Sequence, residues 1–184
     1  KRKNMNWPSK EEVDNIDMQE ILNRVSDREG YKMYIDMPAG EEHYKLLVWI
    51  SNQFVKKTLV EVGVYKGFSG CALSHNIENK VTGFDIVDNI SCELPSNYTF
   101  IVGDVLLQEN LIKQSPFLMY DTNHDGVHEK LFYEWLIKIN YSGIILFDDI
   151  HLNQEMRYFW KSIKHKKEDI SHIGHHSGTG VVWM

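Results

Sequence analysis

Two short stretches concentrate the groups that could do chemistry: Asp121-Thr-Asn-His124-Asp125-Gly-Val-His128 and Phe147-Asp148-Asp149-Ile-His151. If the apolar segments ending at Tyr120 and Phe147 are neighbouring strands, Asp121, Asp148 and Asp149 share one rim of a sheet. Carboxylates that close repel unless a proton or a cation intervenes. A hard divalent ion with oxygen ligands, Mg²⁺ in the first place, compensates them and keeps open positions for water or a substrate hydroxyl. The competing assignment is structural, with Asp148 and Asp149 capping the next helix and Asp121 binding backbone amides. His124, with an ordinary pKa of about 6.5, can take a proton from an attacking hydroxyl at neutral pH.

A second group lies upstream, in Glu61-Val-Gly63-Val-Tyr65-Lys-Gly67-Phe-Ser69-Gly70. Gly63 and Gly67 permit a tight turn that lets backbone approach a ligand. The spacing is G-x-x-x-G-x-x-G, which fails the dinucleotide fingerprint, and no Gly-Lys-Ser/Thr follows to make a phosphate loop. Asp85 stands roughly twenty residues beyond the loop, where an acid can accept hydrogen bonds from ribose hydroxyls. Asp104, after Gly103, either reaches an adenine amino group or caps the next helix.

The elements that must position these residues alternate along the chain. Strands are expected at 58–63, 81–85, 98–102, 115–120, 142–147 and 178–183, with helical segments at 68–79, 126–140 and 152–164 between them. Helical spacing also marks 13–25 and 41–54. Such alternation predicts a mostly parallel sheet covered on both faces, with ligands bound beyond the carboxyl ends of its strands. Residues 1–40 read as an N-terminal extension with a short helix and lid, and 41–184 as the main domain.

The loop E-V-G-V-Y-K-G-F-S, an acid ending the second strand and G-D after the third together resemble the class I S-adenosylmethionine-dependent methyltransferases. The match runs from about Glu41 to Met184. The resemblance implies a Rossmann-like α/β fold, a seven-stranded mostly parallel sheet with an antiparallel last strand. It places Glu61, Gly63, Tyr65, Gly67, Ser69 and Asp85 around the cofactor, with Asp104 near the adenine. The D-T-N-H and F-D-D-I-H stretches are similar to those of macrolide-sugar and glycan O-methyltransferases. That implies Asp121 as a metal ligand, His124 as general base, and Asp148 or Asp149 as a further Mg²⁺ ligand. The additional N-terminal acidic ligand of those enzymes has no match here. The acceptor implied is a sugar hydroxyl, on a glycan or a glycosylated small molecule. A catechol-like small molecule and a non-catalytic module of a larger polypeptide are the alternatives. Glu42, His43 and Tyr44 fall where that subgroup covers its cofactor, and Lys32 and Tyr34 are further candidates.

The chain has 184 residues, 42% of them hydrophobic, and a formal charge of −6. An acidic protein without an N-P-P-Y-like tetrapeptide is not expected to bind nucleic acid. No run is long and apolar enough for a membrane span. The two cysteines, Cys71 and Cys92, exclude a disulfide framework and point to a reducing, cytoplasmic setting. The first residue is lysine, so a piece of a longer polypeptide with further domains is an open expectation, as is the oligomeric state. Lys161, Lys164, Lys166 and Lys167 read as a solvated face of the last helix. His172, His175 and His176 are assigned no function, and without H-E-x-x-H or Cys-x-x-Cys a structural zinc is not expected.

Overall fold

The computed structural model describes residues 5–26 and 30–184. Seven strands form one sheet: β1 (Thr58–Val62), β2 (Lys80–Asp85), β3 (Tyr98–Val102), β4 (Phe117–Tyr120), β5 (Ile144–Asp148), β6 (Lys166–Asp169) and β7 (Thr179–Trp183). Their order is β3-β2-β1-β4-β5-β7-β6; β1 to β5 run parallel and β7 pairs antiparallel with both neighbours. The central strands are near-continuous apolar runs because helices cover both faces. Chain order reverses between β1 and β4, so a crevice must open at their carboxyl ends.

One face carries α1 (Lys10–Asp14), α2 (Gln19–Arg24), α3 (Lys32–Ile35), α4 (Tyr44–Gln53) and α5 (Phe68–Leu73). Its core includes Val13, Ile21, Ile35, Leu46, Leu47, Ile50, Leu59 and Phe117. The first forty residues therefore contribute to the main core. The other face carries α6 (Glu109–Gln114), α7 (Val127–Lys138) and α8 (Gln154–Ser162), packed through Ile112, Phe132, Leu136, Met156 and Phe159. Side chains alternate along a strand. On β1, Val60 and Val62 enter the second core, while Leu59 enters the first. Glu61 shares the face of Leu59 and is carried inward with it.

Three element boundaries depart from the sequence expectation. The helix expected over 13–25 is two short helices, with the Asp17 carboxylate accepting from the Gln19 amide at 2.9 Å where the second begins. The helix from Phe68 ends at Leu73. Lys166 and Lys167 lie on β6 rather than on the last helix, which stops at Ser162. This all-polar strand closes the sheet edge, where exposed lysines discourage pairing with another chain. Among the described residues no helix is long and apolar enough to cross a membrane.

Candidate active site

The carboxyl ends of β1, β2, β3 and β4 open into a cleft of about 890 Å³. Of the residues expected at a cofactor, Gly63, Tyr65, Ser69, Asp85 and Asp104 line it, and Glu61 and Gly67 do not. Gly63 has φ +87°, and Tyr65 follows at +46°, a left-handed conformation seldom adopted by a bulky residue. Gly67, at φ +92°, is buried against Ile90, Cys92 and Leu94; a Cβ there would stand 2.9 Å from the Cys92 sulfur. Cys92 and Cys71 are unlinked, with their sulfurs 3.6 Å apart.

Asp85 holds the loop in place from beneath. Its Oδ2 accepts from the Val64 and Tyr65 amides at 2.9 and 3.0 Å, and its Oδ1 from the Val87 amide at 3.2 Å. Asp104 caps the 3-10 turn Val105–Leu107 through the Leu106 amide at 2.8 Å while still lining the cleft. The two readings open for Asp104 thus coexist in position. Glu61 is fully buried and accepts from the Tyr98 hydroxyl at 2.7 Å. Burial raises its pKa to about 7, against the opposing pull of the Ser69 and Tyr98 hydroxyls.

At the other end of the cleft lie Asp121 and His124, just beyond β4. His124 Nε2 stands 3.2 Å from Asp121 Oδ1 and 3.3 Å from Asp149 Oδ2. Asp148, last residue of β5, turns toward His43 and His175, while Asp149, left-handed at φ 58°, reaches both His124 and His175, so that one oxygen of each aspartate still lies within 4.8 Å of the other. His124 is itself left-handed, at φ 54°. Its amide donates to Glu129 Oε1 at 2.9 Å, and its carbonyl accepts from Asn153 Nδ2 at 2.7 Å. Glu129 is buried in the first turn of α7, and Asn153 caps α8 by accepting from the Met156 amide at 2.8 Å. Two helix starts therefore fix one strained residue, a pattern found where geometry serves a site. Burial opposes charge on His124, but the Asp121 carboxylate, helped by Asp149 and Asp148, pushes its pKa up to about 9. Burial and repulsion from Asp148 raise that of Asp121.

Behind the rim Asp148 and Asp149 meet Glu42, His43 and His175, which the sequence assigns only a border position or no role. Asp148 Oδ2 is 3.3 Å from His43 Nδ1 and 3.3 Å from His175 Nδ1. His175 Nδ1 is also 3.3 Å from Asp149 Oδ1, which takes a hydrogen bond from the Ser177 hydroxyl. His175 Nε2 lies 3.5 Å from Glu42 Oε1. Burial disfavours charge here too, yet the carboxylates push His43 up to about 9 and His175 up to about 11. The two histidines in turn hold the buried Asp148 well below the usual carboxylate range. His175 precedes β7, and only the antiparallel pairing of β7 with β5 brings it beside Asp148. Glu42, His43, Tyr44 and Tyr34 line the cleft; Lys32 does not.

No protein-family model matches the sequence, and no curated protein matches it. Solved structures share the fold. The methyltransferase PaMTH1 of Podospora anserina, bound to S-adenosylhomocysteine, is 14% identical with a TM-score of 0.56, over 77% of this chain and 77% of its own. An O-methyltransferase from Bacillus cereus, also bound to S-adenosylhomocysteine, is 14% identical with a TM-score of 0.52, over 96% of this chain and 92% of its own. TomG of Streptomyces achromogenes, an O-methyltransferase of tomaymycin synthesis in complex with S-adenosylmethionine, is 12% identical with a TM-score of 0.55, covering 97% of this chain and 100% of its own. At these identities the likeness shows the fold, the Rossmann-like seven-stranded sheet with its antiparallel last strand.

Proposed function

We propose that this chain transfers a methyl group from S-adenosylmethionine to a hydroxyl oxygen of a sugar, with His124 as general base. The observation that carries the reading is one continuous cleft. It joins the β1 loop, Asp85 and Asp104 at one end to the Asp121–His124 pair at the other. The residues present suit an adenosyl group: Phe84, Ile86 and Leu106 offer apolar walls, and Asp85 and Asp104 offer acceptors at the strand tips. The cofactor would supply the methyl on a sulfonium, a leaving group that needs no proton from the protein.

What remains for the chain is alignment and deprotonation of the acceptor, which is where positioned groups lower a barrier most directly. His124 Nε2, beside two carboxylates, is placed to accept the proton of a hydroxyl held between them once the imidazole is neutral, the form that predominates above about pH 9. Asp121 with Asp149 or Asp148 would hold Mg²⁺ or the sugar diol itself. The donor set is of the hard oxygen kind that this ion takes. A cation there would supply the compensation that His124 otherwise gives these acids as an imidazolium. Tyr31 and Tyr34, their rings 6.1 Å apart, stand on the cleft wall as a lid over the ligand.

The same wall supports a second reading. Tyr31 also meets Tyr65 edge-on at 6.4 Å, and an aromatic enclosure of this kind suits a flat catechol-like acceptor as well as the apolar face of a sugar. A non-catalytic role is disfavoured because the acidic rim is intact.

The test is calorimetric titration with S-adenosylhomocysteine, followed by sugar and catechol acceptors with and without Mg²⁺. One-to-one saturable binding and turnover of a sugar acceptor are expected. Absence of binding at millimolar ligand would overturn the cofactor assignment; turnover confined to catechols would overturn the sugar.

A further inference from the structure

We propose that Glu42, His43 and His175 form a second cation site, of the imidazole–carboxylate kind that takes Zn²⁺ or a similar borderline transition metal. It adjoins the rim of Asp121, His124 and Asp149, since one ligand atom each of His43, Asp121 and Asp148 also lies within 4.8 Å of the others, and it stands whether or not the chain transfers methyl groups.

The first observation is an unsatisfied histidine. His43 is 4% exposed, and its Nε2 has no hydrogen-bond partner among the described residues. Burying a polar nitrogen without a partner is costly, so such a group ordinarily answers to a ligand. His43 Nδ1 stands toward Asp148, which leaves Nε2 for that ligand.

The second observation is the arrangement around it. Asp148 Oδ2 lies equally close to the Nδ1 atoms of His43 and His175, at 3.3 Å each. A carboxylate behind an imidazole fixes its tautomer and turns the other nitrogen toward a metal. One carboxylate here serves two imidazoles, whose rings meet edge-on at 87° with centroids 5.6 Å apart. On the far side His175 Nε2 is already 3.5 Å from Glu42 Oε1, and one ligand atom each of Glu42, His43 and His175 lies within 4.8 Å of the others. Donors bound tetrahedrally to zinc at about 2.0–2.2 Å stand about 3.3–3.6 Å apart, so small side-chain adjustments close the site.

The third observation is scaffolding. Glu42 and His43 precede α4, whereas His175 lies in the loop before β7. Backbone bonds hold the two segments together, from the Gly40 amide to the Gly174 carbonyl at 2.9 Å and from the His176 amide to the Glu41 carbonyl at 3.2 Å. The ligands are thus positioned by main chain before any ion arrives. Because Glu42 and His43 line the cleft, an ion there keeps an open position toward it. Two nitrogens and one oxygen select zinc-like ions over Mg²⁺, which favours oxygen donors and its own waters. The alternative is an ion-pair network in which protonated histidines alone neutralise Asp148, Asp149 and Glu42.

The full chain, stripped with a chelator, would be titrated with Zn²⁺ alone against a chromophoric competitor, and with Co²⁺ while its visible spectrum is followed. One equivalent should bind in competition with the indicator, and the Co²⁺ form should show the d–d bands of a four- or five-coordinate nitrogen–oxygen site. His43→Gln and His175→Gln should each weaken Zn²⁺ by about 100-fold or more, whereas Asp121→Asn should leave it within about threefold. Absence of stoichiometric Zn²⁺ binding would favour the ion-pair network and overturn the proposal. Retention of full affinity in both histidine variants, with loss in Asp121→Asn, would overturn it in favour of the rim. The Co²⁺ spectrum of the unaltered protein decides the matter even if a histidine variant fails to fold.

Discussion

Gly63 lies so close to Asp121 that a Cβ on the glycine would land inside the aspartate's carbonyl group. The first residue of the β1 loop and the first residue beyond β4 are therefore packed main chain against main chain. The Asp121 amide donates to the Val62 carbonyl at 2.9 Å and keeps the two strand ends in step. Gly63→Ala would combine a left-handed φ of +87° with this collision. It should cost about 3 kcal/mol or more of stability and open the cleft at its centre. Urea denaturation measures the first effect and S-adenosylhomocysteine affinity the second; near-unchanged values for both would show that the backbones part easily.

His124 is held left-handed by Glu129 and Asn153 through its own main chain, so its side chain can be changed with the loop left intact. Asparagine tolerates that conformation better than alanine. His124→Asn should lower turnover about 10²- to 10⁴-fold, with cofactor affinity unchanged within about twofold. Steady-state kinetics with a working acceptor, set beside calorimetry, provides the check. Near-normal turnover would remove His124 from the base role.

How much of this could be read from sequence followed the physics of each segment. β1, β4 and β5 announce themselves as apolar runs because both their faces are covered. β6, KKED, is polar on every residue and exposes its edge, so no periodicity distinguishes it from a solvated helix face. Asp121 and His124 are legible because they stand only three positions apart. His43 and His175 belong to distant parts of the chain, and the packing of α4 brings the one to Asp148 while the β5–β7 pairing brings the other. Glu61 was expected at the cofactor from its place in a family motif, but strand alternation puts it on the inner face with Leu59. Residue type and spacing offer Asp85 as a ribose acceptor; the bonds of its side chain to the loop amides are not revealed by residue type alone.

The bonds between Asp85 and the loop make its removal informative. Asp85→Ala leaves the Val64, Tyr65 and Val87 amides without their acceptor. Unpaired amides at a partly buried position cost about 1–3 kcal/mol in total, and the loop they shape should lose order. S-adenosylhomocysteine affinity should fall at least about tenfold, with a smaller fall in thermal stability. A fall in stability with affinity unchanged would confine Asp85 to holding the loop.

Glu61 makes a prediction about pH that no residue of the cleft can imitate. Its pKa rises from 4.5 to about 7 on folding, chiefly through burial, so the native state binds its proton more tightly than the unfolded chain. Below pH 4.5 the group is protonated in both states and costs nothing; as pH climbs toward 7 the native state alone keeps the proton, and the stability this represents is lost. The loss is on the order of 3 kcal/mol when complete. Glu61→Gln keeps an acceptor for the Tyr98 hydroxyl and cannot ionise. The variant should match the parent near pH 5 and exceed it in stability at pH 8. Urea midpoints at both values measure the difference, and subtracting the variant's profile cancels the contributions of His43, His124 and His175, which titrate in both proteins. Parallel profiles across that window would mean that Glu61 keeps an ordinary carboxylate pKa despite its burial.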